Sequence, residues 1–108
     1  MSSQVVSRSD AFRAKLELEP GNLLFQFSLG QALAAEGKES DALEPLRICS
    51  EGKPDWMAPR ILLGKCLIAA GSESAATEVL NDALALAIEQ EHDDPATEIR
   101  ELFSEIKG

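Results

Sequence analysis

One histidine, two cysteines and nineteen carboxylates are the side chains of this 108-residue chain that could do chemistry. His92 stands alone, so neither a two-histidine metal site nor a two-histidine catalytic pair can be built. It falls in "EQEHDDP", at a predicted helix end, where an imidazolium would suit the helix dipole. A metal shared with Asp93 and Asp94 is a weaker reading of the same residues. Cys49 and Cys66 have no C-x-x-C spacing, and each falls on a helix face. That pattern fits reduced, buried small apolar residues rather than a redox pair. The glycines are isolated, with no G-x-x-x-x-G-K-[ST] run to cradle a phosphate. The carboxylates lie on amphipathic helices, where a solvated face is their ordinary explanation. No catalytic, metal or cofactor-binding group emerges, and an enzyme is not expected.

Charge narrows the partners. The net charge is −9, and from Gly71 onward ten acids face only Arg100 and Lys107. Nucleic-acid affinity rests largely on neutralising phosphates with Lys and Arg, so DNA and RNA are not expected partners. The acidic half is either a face for a basic partner or a solvated surface. Apolar residues at 44% and charged residues at 27% are globular proportions, enough for one folded domain. No apolar run approaches the roughly 20 residues of a membrane span. The opening "MSSQVVSRSD" has no apolar signal-peptide core, and the expected location is the cytoplasm.

The elements that would position a site are set by a repeat. "SLGQALAAEGKESDALEPL" at 28–46 returns as "LLGKCLIAAGSESAATEVL" at 62–80, 34 residues later. The shift aligns Leu29 with Leu63, Gly30 with Gly64, Leu33 with Leu67, Gly37 with Gly71, Ala42 with Ala76 and Leu46 with Leu80. Each unit reads as two helices around a glycine turn. Gly37 is the left-handed stop of the first helix, and Ser40 is the expected N-cap of the second. Glycine inside a helix costs about 1 kcal/mol against alanine. Gly30 and Gly64, in register, therefore predict close helix–helix approach. Pro59 falls in a first turn behind the expected cap Asp55, where its missing N–H does little harm. Pro45 lies deeper and is expected to bend its helix. Trp56, the only tryptophan, reads as an aromatic packed at a helix entry rather than an exposed anchor.

These positions resemble the tetratricopeptide repeat, W-x2-L-G-x2-Y, then A-x3-F, then P over about 34 residues. Leu29, Gly30, Leu33, Ala42, Leu46 and Pro54 match in the first unit, and Leu63, Gly64, Leu67, Ala76 and Leu80 in the second. Gln26 and Arg60 stand where the family often has tryptophan, and leucine replaces its aromatics. Ile88 takes the place of the second closing proline, so that helix should run on to about Glu91. Moving 34 residues back from Leu46 and Pro54 reaches Phe12 and Pro20, the second helix of an incomplete leading repeat. At the far end Asp94 is the expected N-cap before Pro95, and Ile99, Leu102, Phe103 and Ile106 form an apolar stripe. The expected fold is all-α: a right-handed superhelical stack of helix-turn-helix repeats, an α-solenoid. Residues 9–19 form a leading half-repeat, 22–54 and 55–91 two full repeats, and 94–107 a capping helix.

A second apolar stripe lies opposite Leu29 and Leu33. It carries Leu24, Phe27, Gln31 and Ala34 in the first unit and Ala58, Ile61, Lys65 and Ile68 in the second. A lone surface helix would make that face polar. The resemblance implies that first helices line a concave groove receiving a peptide or helix, which would make these eight residues the protein-binding groove. The resemblance also covers relatives that clamp a C-terminal carboxylate with basic and amide side chains. Phe27 and Ile61 occupy the places such side chains would need. Two readings follow: an adaptor binding an apolar or amphipathic segment, or a structural self-association module in which the same stripe is buried against a second copy, as a homodimer, or under a terminal helix.

Overall fold

The computed structural model describes residues 7–107, apart from the side chain of Lys107. Most of the opening stretch read for a signal peptide lies outside the described residues. Six helices follow in order: α1 Arg8–Leu18, α2 Leu23–Ala35, α3 Glu39–Gly52, α4 Met57–Ala69, α5 Glu73–Glu89 and α6 Asp93–Lys107. There is no strand among the described residues. Each helix packs on the next, and beyond that α2 touches α4 and α4 touches α6. The result is an elongated all-α stack of helix-turn-helix repeats, 48 × 29 × 21 Å.

The backbone repeats as the sequence does. Gly37 and Gly71 adopt φ of 77° and 83°. At each, the next N–H bonds back to a leucine carbonyl, Lys38 to Leu33 and Ser72 to Leu67, both at 2.8 Å. The glycine N–H bonds in turn to Ala34 and Ile68, which satisfies the carbonyls left at the helix end. The joints before α2 and α4 also match. Glu19 and Lys53 close α1 and α3 with φ of −136° and −142°, and Asn22 and Trp56 cap the helices that follow. The joint before α6 differs. With Ile88 where the closing proline would stand, α5 extends to Glu89. Glu91 then enters the left-handed region at φ 59° and uses the glycine-turn pattern without a glycine.

Several helix starts shift by a residue or two from expectation. Lys38 rather than Ser40 caps α3, and Trp56 rather than Asp55 caps α4. At α6 the first helical bond, from the Ala96 N–H, is accepted by His92, so the cap precedes Asp94. At each turn the φ/ψ of the preceding residues decides where the helix begins, and a side chain able to cap is only one contribution. Pro45 lies inside α3, buried, and the helix runs through it from Glu39 to Gly52 without interruption.

The two glycines in register lie at tight contacts. A Cβ on Gly30 would come within 2.6 Å of Leu46 Cδ2, and one on Gly64 would collide with Leu80 in the same way. Leu46 and Leu80 are fully buried. The leucine of each second helix thus fills the space that the glycine of the first leaves open. The core falls into two clusters that share α4. Leu63 and Cys66 join Leu29, Leu33, Ala42 and Leu46, whereas Met57 and Ile61 join Leu80, Ala83, Ile99 and Leu102. A helix buried on two sides is apolar nearly all round, and the sequence of α4 reflects this.

Candidate functional site

Helices α2, α4 and α6 share one surface, and on it lies a cleft of ≈ 610 Å³. Its aromatic corner joins two elements. Trp56 caps α4, its backbone held by an N–H bond to Lys53 O, and its ring meets Phe27 of α2 edge-on at 4.9 Å between centroids. Such a pair contributes about 0.5–1.5 kcal/mol beyond the area it buries, so this corner is a preformed wall. Ala58, Ile61 and Leu62 form the α4 side, and Pro95 and Glu98 the α6 side. Two polar links cross it. Lys65 Nζ pairs with Glu98 Oε2 at 2.5 Å, and Gln90 Nε2 donates to the Asp55 carbonyl at 3.2 Å.

Five of the eight residues expected in a groove line this cleft: Phe27, Gln31, Ala58, Ile61 and Lys65. Leu24, 62% exposed, lines an adjoining pit with Leu23 that shares Lys53 and Trp56 with the cleft. Ala34 and Ile68 are not brought there. They sit half-buried one turn further along, packed against the two core clusters. Ile61 requires a correction. It was expected on an exposed strip, but it is only 8% exposed and belongs to the core cluster with Leu80 and Ile99. The reason is α6, which packs beside α4 as α4 packs beside α2 and so covers the flank that carries Ile61. Phe27, its counterpart 34 residues earlier, is covered only in part, by Trp56.

The sequence reading missed Trp56 as a cleft wall and, although it placed a capping helix at 94–107, missed α6 as one side of the cleft. Trp56 could have been placed by the repeat itself, because it holds the same joint position as Asn22, next to the first turn of a groove helix. No such signal existed for Glu98, whose position depends on a joint of altered length.

The two cysteines lie away from the cleft. Cys49 and Cys66 are free and buried, and burial pushes both thiols up to about 11. Cys49 Sγ donates to the Leu23 carbonyl at 3.4 Å, a packing contact between α3 and α2. His92 edges the cleft between the end of α5 and the start of α6, where the two helix dipoles act in opposite senses. Among the described residues no three His, Cys, Asp or Glu side chains converge as metal ligands would.

One carboxylate has a clear structural task. Glu36, just past α2, accepts from Ser9 Oγ at 2.7 Å and from the Ser9 N–H at 3.2 Å. It thereby satisfies a free N–H in the first turn of α1 from 27 residues away. Those two bonds from Ser9, helped by Lys38 and Arg13 against some desolvation, hold the Glu36 carboxyl below the usual carboxylate range.

No protein-family profile and no curated protein sequence matches the chain. Among solved structures, a Bordetella parapertussis protein determined in solution by a structural genomics consortium has the same fold. The TM-score is 0.78 at 22% identity, over 99% of this chain and 90% of that one. The likeness extends through all six helices and shows a fold, an all-α stack, that sequence identity at this level would not reveal.

Proposed function

We propose that the chain is a tetratricopeptide-type adaptor of the cytoplasm, binding an apolar or amphipathic segment of a partner protein in the cleft between α2, α4 and α6. It is proposed to work without a cofactor, to bind neither nucleic acid nor membrane, and to catalyse no reaction. The observation that carries the reading is the half-buried Phe27–Trp56 corner beside the exposed Leu24, an apolar surface continuous with a cleft of ≈ 610 Å³. Contiguous apolar surface of this kind marks interaction sites, and aromatic anchors carry much of their energy. Two buried, free thiols suit a reducing compartment. The net charge of −9 opposes phosphate backbones and anionic lipid alike. No helix among the described residues is long and apolar enough to cross a membrane.

The test uses binders selected from a random library of helical peptides against the full chain. Trp56 is the only tryptophan and lies in the cleft, so its emission reports occupancy directly. Phe27→Ala with Leu24→Ala should weaken selected binders by about thirtyfold or more, which corresponds to a hot-spot loss of about 2 kcal/mol. Binders that leave Trp56 emission unchanged and tolerate both substitutions would place the site elsewhere. Light scattering on the free chain decides the homodimer: a tight dimer broken by the same substitutions would make a second copy the occupant.

A further inference from the structure

The cleft is not electrically even. Its α2 side offers Leu24, Phe27 and Gln31, with Lys53 and Asp55 at the joint before α4 beside them, and α4 offers Ala58, Leu62 and Lys65. Its α6 side is acidic. At 100° per residue, Asp94, Glu98, Glu101 and Glu105 fall along one flank of α6, with no Lys or Arg among them. Glu98 fixes which way that flank points, because it lines the cleft and reaches Lys65 of α4. Asp94, Glu101 and Glu105 are exposed, and the Glu98 side chain is 42% exposed even while paired. Arg100 sits on the opposite flank, toward Ile88 and Glu91 of the α5 end. An apolar floor with one acidic bank is the complement of one kind of ligand.

We infer that the occupant of the cleft is a basic amphipathic helix, whose apolar stripe meets Phe27, Trp56 and Leu62 while Lys or Arg side chains on one flank meet the acidic bank of α6. This rests on the adaptor reading above and adds the chemistry of the partner. A second copy of the chain fits poorly, since two molecules of net charge −9 repel, and each would bring its own acids to the other's acidic bank. Glu98 has a particular part. An incoming cation competes with Lys65 for it, so the empty cleft keeps its most buried acid neutralised until a basic side chain replaces the lysine. The charge pattern also orients the ligand, because reversing it would set its cations against Lys53 beside α2.

The experiment compares three synthetic helices of about 18 residues that share one apolar stripe and carry Lys, Gln or Glu on one flank. Each is titrated into the full chain with Trp56 emission as the readout. The Lys peptide should bind about tenfold tighter than the Gln peptide, the Glu peptide should be weaker still, and the Lys advantage should fall as salt rises. Glu101→Gln with Glu105→Gln, at exposed positions, should cut the Lys advantage several-fold and leave the Gln peptide unchanged. Adding Glu98→Gln should remove most of what is left. Equal affinities for the three peptides, with Trp56 responding and Phe27→Ala abolishing the response, would overturn the basic-partner inference while leaving the cleft as a binding site. If none of the three moves Trp56 emission, the adaptor reading falls and this inference with it.

Discussion

Replacing Glu91 with glycine should stabilise the protein, although Glu91 is exposed and belongs to neither core cluster. Glu91 sits at φ 59°, a conformation that costs an L-residue roughly 1–2 kcal/mol. Glycine removes that cost but loses more freedom on folding, by about 0.4–1 kcal/mol. The difference predicts a gain of about 0.5–1 kcal/mol for Glu91→Gly. The hydrogen bonds of the turn, His92 N–H to Ala87 at 2.8 Å and Glu91 N–H to Ile88 at 3.1 Å, match those at Gly71, so they should survive. Gly71→Ala supplies the mirror experiment. Nothing lies within 4 Å of a Cβ built there, so only its φ of 83° resists the change, and a loss of about 1 kcal/mol is expected. Urea unfolding of both variants should move the midpoint in opposite directions at constant m. A destabilised Glu91→Gly beside a destabilised Gly71→Ala would show that the glutamate side chain is needed, and the backbone argument would be wrong.

At Gly30 a substitution should act through packing instead. Gly30→Ala gains about 1 kcal/mol of helix propensity but crowds Leu46, and an overpacking cost of roughly 1–3 kcal/mol should leave a net loss of about 1, read from the same unfolding curves. Ile61→Ala should cost about 2–5 kcal/mol of stability, as a core residue does, and more than Ala58→Gly nearby; a tolerated Ile61→Ala would return that side chain to the exposed strip. The link from Glu36 to Ser9 should make α1 docking depend on pH. Because the folded carboxyl is held below its ordinary value of 4.5, its contribution is complete above that pH and disappears as pH falls through the lower folded value. The stability gap between the wild type and Glu36→Gln should therefore be present near neutrality and close in acid. A gap that stayed constant into strong acid would assign the effect to something other than the ionised carboxylate.

The repeat was legible because it is written in residues with local meaning. Gly37 and Gly71 mark left-handed turns, Gly30 and Gly64 mark close approach, and leucines 34 apart mark the same buried face. The sixth helix was legible as a capping helix at 94–107, from its apolar stripe, but not the place it takes beside α4. That place depends on α5 extending to Glu89 and on a turn built at Glu91 without glycine, so simple 34-residue arithmetic fails there. Burial of the groove stripe under a terminal helix was one reading open from the sequence, but that it falls on Ile61, and that Glu98 arrives beside Lys65, was not. Periodicity shows which residues share a face, but what covers that face is decided by elements distant in sequence. The clasp between Glu36 and Ser9 is of the same kind, a bond across 27 residues between side chains that look like ordinary surface groups.

The buried thiols have a practical consequence. With Cys49 and Cys66 near 11, the reactive thiolate fraction at neutral pH is on the order of one in ten thousand, and neither sulfur is open to solvent. The protein is therefore close to blank toward thiol-directed reagents while it stays folded. A single cysteine introduced on the outer surface could be labelled selectively without deleting the native two, sparing the packing of α3 and α4. The same silence makes an unfolding gauge: labelling of Cys49 and Cys66 would register each opening of the repeats.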